Sequence, residues 1–152
     1  MPKLDLSKIP VRSGTGYPPP HDAAVRDRTS QRLADAAGLT GFAANRVILA
    51  PGAWSSQRHW HSHSDEFLVM LEGNAVLIED DGEHPLGPGD FAAFKAGDRN
   101  GHHLVNRSDK DAVFLVIGSH HPDDCGEYPD IDMKFLSKME GGGFARKNGE
   151  RF

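Results

Sequence analysis

The chain has 152 residues, the length of one domain, and a domain of that size withdraws roughly 68–70% of its unfolded surface from water. Apolar residues make up 38% and charged residues 26%, and apolar runs such as Phe67–Leu71 fall far short of the ~20 residues that span a bilayer. The formal net charge is −5 with the 17 Lys and Arg residues scattered, which excludes a nucleic-acid surface held by electrostatics.

Residues 1–22 carry five of the ten prolines, including Pro18-Pro19-Pro20, so this stretch is expected to be extended. Asp22 to Ala37 is the one helical window, rich in alanine and closed by Gly38, although Arg26-Asp27-Arg28-Thr29-Ser30 breaks its apolar periodicity. From Phe42 the pattern turns to short apolar runs separated by Gly, Pro, Asn and Asp. The runs are Ala44–Ala50, Glu66–Leu71, Ala75–Glu79, Phe91–Phe94, His102–Val105 and Ala112–Ile117. Asp81-Gly82 is the pair that a tight hairpin turn favours. Strands at this spacing point to an all-β sandwich or barrel, and pattern alone does not separate the two. Beyond Gly118 the chain is polar again, with Tyr128–Met133 expected to be extended and Gly141-Gly142-Gly143 a joint before a basic tail. The expected organisation is an arm over 1–44 with at most one short helix, a core over 45–118, and an extended arm over 119–152 in the same domain.

Nine histidines stand against a single cysteine, Cys125, so any metal here is held by nitrogen and oxygen. Gly52–Gly73 reads GAWSSQRHWHSHSDEFLVMLEG. On a strand, His59 and His61 share a face and supply two converging lone pairs. Glu66 lies five residues beyond His61, so the turn-prone Ser62-His63-Ser64-Asp65 must restore its parity. A His61/His63 pair is the rival ligand set. In the second segment, Gly89–Asn106, His102 shares a face with Leu104 and Asn106, and His103 faces the other way with Val105. Leu68 and Met70 are expected to line the interior, while Trp60, Phe67, Val69 and Leu71 pack in a layer behind the sheets. Arg58, Arg99 and Arg107 could meet an anionic substrate, with solvated charge the ordinary reading of each.

Together the two segments resemble the two motifs of the cupin superfamily, small double-stranded β-helix (jelly-roll) barrels. The first motif is matched by Gly52, six residues, His59-Trp60-His61, four residues, Glu66, six residues and Gly73. The second is matched by Gly89, five residues, Lys95-Ala96-Gly97, four residues, His102, three residues and Asn106. Lys95 stands where the family has proline, and the loop from Gly97 to His102 is two residues longer, which threatens the register of His102 against His103. The resemblance implies an all-β barrel with His59, His61, Glu66 and His102 as ligands of one divalent metal. Such a set suits iron(II), manganese or nickel ahead of zinc and copper. It also implies a small-molecule substrate chelated through adjacent oxygens, with isomerase or dioxygenase chemistry. The whole chain is similar to stand-alone bacterial cupins described as sugar-phosphate-isomerase-like. A non-catalytic sensor cupin acting through a protein partner is the alternative. No acid–base residue is assigned, and Tyr17 and Tyr128 are the only tyrosines available. The expected setting is a cytoplasmic homodimer, without signal peptide, membrane or nucleic-acid partner.

Overall fold

The structure is a computed structural model that describes residues 3–152, so Met1 and Pro2 of the expected N-terminal arm lie outside it. Its strands are β1 (Arg12–Ser13), β2 (Arg28–Arg32), β3 (Phe42–Leu49), β4 (Glu66–Glu72), β5 (Ala75–Glu79), β6 (Gly82–Leu86), β7 (Phe91–Phe94), β8 (His103–Val105), β9 (Ala112–Ser119), β10 (Gly126–Tyr128), β11 (Met133–Phe135) and β12 (Phe144–Ala145). One α-helix, α1 (Leu33–Ala36), and three short 3-10 turns complete the described elements. The fold is all-β, an open jelly-roll of two facing sheets. The larger runs β1-β2-β3-β9-β4-β7 and the smaller β6-β5-β8, while β10-β11-β12 form a third sheet. No helix among the described residues is long and apolar enough to cross a membrane.

Alternation builds the core. On β4, Leu68 and Met70 point inward and are 2% and 1% exposed. They meet Val47 and Leu49 of β3, Phe114 of β9, Leu77 of β5 and Leu104 of β8 in one cluster. Their outward neighbours are not covered as expected: Phe67 and Leu71 are each 45% exposed, because no layer lies behind β4. Gly73 turns β4 into β5 with φ +68°, and a Cβ there would collide with the Asp111 carbonyl.

Three sequence expectations are corrected. The helix expected over Asp22–Ala37 shrinks to α1, because Arg28–Arg32 pairs as β2 with both β1 and β3. Sheet pairing overrides the local helix preference of the alanines. The hairpin turn is shifted by one residue: Glu79 pairs with Gly82, so Asp80-Asp81 form its centre, and β6 continues through Pro85 on a sheet edge where a missing N–H is tolerated. Tyr128–Met133 is not one extended run but the bend of a β10–β11 hairpin. Both arms fold back on their own barrel. The N-terminal arm does so where β2 pairs with β3, and the backbone N–H groups of Trp60 and Ser62 donate to the carbonyls of Glu127 and Cys125 at the start of the C-terminal sheet.

Candidate metal centre

His59 and His102 face each other in an isolated antiparallel bridge, each backbone N–H donating to the other's carbonyl at 3.2 and 2.9 Å. That bridge settles the register after the longer Gly97–His102 loop. The loop is pinned by Arg58, which donates to Gly101 O at 3.1 Å, grips Asp130 through Nε and Nη2 at 2.9 Å each, and contacts Asp80. His102 therefore points inward and His103 away. His103 is 4% exposed, donates through Nδ1 to Ser56 O at 2.9 Å and packs edge-on against Trp54. It fills core rather than facing solvent.

Residues 61–65 leave the strand, and Glu66 opens β4 with its carboxylate turned inward. Its Oε2 lies 2.7 Å from His102 Nε2 and its Oε1 3.0 Å from His61 Nε2, while His59 Nε2 is 3.1 Å from His61 Nε2. Ligand atoms of His59, His61 and Glu66 all lie within 4.8 Å of one another, and His102 joins the group through Glu66. His63 stays outside, exposed and stacked on His121, so the rival His61/His63 pair is not assembled.

Neighbours fix each ring. His59 donates from Nδ1 to Gln57 O at 2.9 Å, which leaves its Nε2 a lone pair. His61 donates from Nδ1 to Asp124 at 2.7 Å. His102 is held by Phe94, whose ring stacks on it at 3.5 Å and 4°. Its Nδ1 is buried without a hydrogen-bond partner. Burial pushes His59 down to about 4, so it is neutral. Burial also works against a charged His61, but Asp124 and Glu66 outweigh it and hold the imidazole up to about 9. Glu66 is likewise opposed by burial, yet its bonds from His102 and His61 keep it well below the usual carboxylate range. Two carboxylates thus face one imidazolium, and a proton on His61 is all that separates two Nε2 lone pairs aimed at each other. This donor set, negative in sum and with the Nδ1 atoms of His59 and His61 already engaged, fits a divalent cation.

Sequence reasoning named Tyr17 and Tyr128 but missed Asp124 and Phe135 of the outer wall. Asp124 precedes β10, and Tyr128 and Phe135 sit on the C-terminal sheet: Phe135 lies 5.1 Å from the His61 ring and Tyr128 5.8 Å from that of His59, with Tyr17 of the N-terminal arm against Tyr128. Burial raises both tyrosines, so both stay protonated. The three arginines considered for an anion are otherwise engaged. Arg58 is ion-paired, Arg107 forks onto Glu83 at 2.6 and 2.8 Å, and Arg99 lies over Trp60.

A cupin-domain profile matches residues 45–118. A crystal structure of a sugar phosphate isomerase from a cupin superfamily, from Silicibacter pomeroyi, is 50% identical, covers 99% of this chain and 96% of its own, and superposes with a TM-score of 0.95. The chain belongs to the cupin superfamily. A more distant likeness is the polyketide cyclase RemF of Streptomyces resistomycificus, 19% identical over 78% of this chain and 79% of that one, with a TM-score of 0.62, which speaks to the fold alone. A search of curated proteins finds no match. Cupin domains typically bind a divalent metal, and this one carries a His/Glu group able to do so.

Proposed function

We propose that this cupin is a metal-dependent enzyme of isomerase type acting on a small oxygenated metabolite, with His59, His61, Glu66 and His102 holding one divalent ion. The observation that carries the reading is the meeting of three imidazole Nε2 atoms and one carboxylate, of which His59, Glu66 and His102 line a cavity of about 270 Å³. Three nitrogens and one oxygen suit a six-coordinate first-row ion with two positions free, which favours iron(II), manganese or nickel over zinc and copper. Bound there, the ion supplies Lewis-acid polarisation of a chelating substrate oxygen.

The chain's own residues do the rest. Gln57 O and Asp124 keep the Nε2 atoms of His59 and His61 turned inward. Leu68, Phe94, Phe114 and Val116 line the cavity with apolar surface, which displaces water and strengthens every charge interaction within it. The resemblance to a sugar phosphate isomerase over the whole chain favours isomerisation over oxygen chemistry. A cytoplasmic, dimeric protein is part of the same reading, and the lone unpaired Cys125 accords with a reducing compartment.

The test is turnover. Metal-loaded protein is incubated with a panel of aldose and ketose phosphates in deuterium oxide and followed by proton NMR. The reading expects interconversion or deuterium uptake that stops on chelation and in Glu66→Gln and returns with metal. Ligand binding without turnover would support the sensor reading instead.

A further inference from the structure

The strand that replaces the expected helix carries an unused cation. On β2, Arg28, Ser30 and Arg32 alternate onto one face. All three line the same cavity as His59, Glu66 and His102. Cross-strand register places them opposite Leu49, Val47 and Asn45 of β3, on the sheet face that continues through Phe114 and Val116 of β9 to Leu68 of β4. Three strand spacings, roughly 14 Å along the curved sheet, separate β2 from β4. The side chains of Arg28 and Glu66 bridge part of that gap, since both line the one cavity.

Arg28 is half-buried and, among the described residues, pairs with no carboxylate. Its guanidinium donates to Ser55 O at 2.6 Å and Gly14 O at 3.5 Å, both neutral carbonyls. A guanidinium has five N–H donors, so donors and charge are left over. Burial disfavours the charged form and lowers its pKa. Arg32 stands exposed at the rim, with only a loose, solvent-screened contact to Asp35 at 3.9 Å. An adjoining cavity is lined by Arg12, Ser13, Gly14, Arg28, Ser30 and Arg32, with no carboxylate among them. In the first cavity Glu66 is the one lining carboxylate among the described residues, and the histidines already engage it. A half-buried cation without a counter-charge, beside a hydroxyl and a second arginine, is the arrangement that receives an oxyanion.

We propose that Arg28, Ser30 and Arg32 form an oxyanion subsite that takes the phosphate or carboxylate end of the substrate, whose oxygenated end faces the histidine–glutamate centre. The proposal rests on the reading of this cavity as a substrate site and adds that the substrate is anionic. Arg28 supplies the fork, Ser30 a hydroxyl donor, and Arg32 with Arg12 a positive approach that draws anions inward.

Calorimetric titration at low ionic strength tests it, with inorganic phosphate and, separately, acetate as probes. The proteins are the wild type as purified, the wild type after chelation, Arg28→Gln, Arg28→Lys, Arg32→Gln and Glu66→Gln. One of the two anions binds the wild type, before and after chelation, and binds Glu66→Gln. Preference for phosphate marks a phosphoryl end, and preference for acetate a carboxylate. Arg28→Gln weakens binding about tenfold or more and Arg28→Lys less, as expected for loss of a charge-assisted fork. Arg32→Gln, at an exposed position that folding tolerates, weakens it about two- to fivefold. If Arg28→Gln does not fold, the Arg28→Lys and Arg32→Gln arms carry the decision. The proposal is overturned if neither anion binds, if the arginine variants bind like wild type, or if binding disappears on chelation or in Glu66→Gln. Arg28-dependent phosphate binding by a protein that holds no metal would sink the metal reading and leave this one standing. Metal and turnover without an Arg28-dependent anion site would do the reverse.

Discussion

Asp124 stands outside the four converging side chains, yet it decides how His61 presents itself. Its Oδ2 takes the Nδ1 proton of His61 at 2.7 Å, and its Oδ1 accepts the backbone N–H groups of His63 and Ser64 at 3.0 and 3.1 Å. One carboxylate thus shapes the turn that returns Glu66 to the interior and selects the His61 tautomer. Outer partners of this kind are worth about 10- to 100-fold in metal affinity. Asp124→Asn is therefore expected to weaken metal binding by about that factor in competition with a chromophoric chelator. His63→Gln, on an exposed ring, should leave it unchanged, and equal losses in the two variants would count against the assignment. Asn106 works differently. It is fully buried, with its amide donating to Leu49 O and Lys110 O at 2.8 and 2.7 Å and its oxygen accepting from Ser108. The motif asparagine ties β8 to β3 and is not a ligand.

Among the elements, the C-terminal hairpin is held against the centre by a close backbone approach. A Cβ at Gly126 would strike the Trp60 carbonyl and the Phe135 ring. Gly126→Ala should lift β10 away from residues 60–62, lower the thermal midpoint by several degrees and reduce metal affinity at the same time. A variant with wild-type midpoint and affinity would show that this approach is not needed. The barrel strands β3, β4, β5, β7, β8 and β9 were legible because each is a short apolar run bounded by turn residues, and β5 and β7 begin and end where the pattern says, whereas β6, with Glu83, His84 and Pro85 at its centre, carries no such run. His59, His61, Glu66 and His102 were legible as a spaced motif. β2 was not: its alanine-rich flanks read as helix, and the alternation Arg28, Ser30, Arg32 acquires meaning only once β1 and β3 flank it. Asp124 and Phe135 were hidden for a related reason. Main-chain bonds such as Trp60 N–H to Glu127 O and Ser62 N–H to Cys125 O bring them to the site, and those bonds leave no side-chain pattern.

For the whole molecule, the argument for a second copy is the sheet edge at β7, beside which the tilted rings of Phe67 and Phe91 lie 5.9 Å apart, 45% and 64% exposed. An open edge with exposed aromatic rings invites self-association. A dimer mass is expected by light scattering at micromolar concentration, shifted toward monomer by Phe91→Lys, whereas a monomeric wild type would contradict it. The central claim is that one ion sits where His59, His61, Glu66 and His102 meet. The direct measurement is metal analysis by mass spectrometry of protein purified without added metal and without a histidine tag, for wild type, His102→Ala and His103→Ala. The account predicts one divalent ion per chain in wild type and His103→Ala, and loss of it in His102→Ala. No bound metal in the wild type, or metal retained in His102→Ala and lost in His103→Ala, would contradict it.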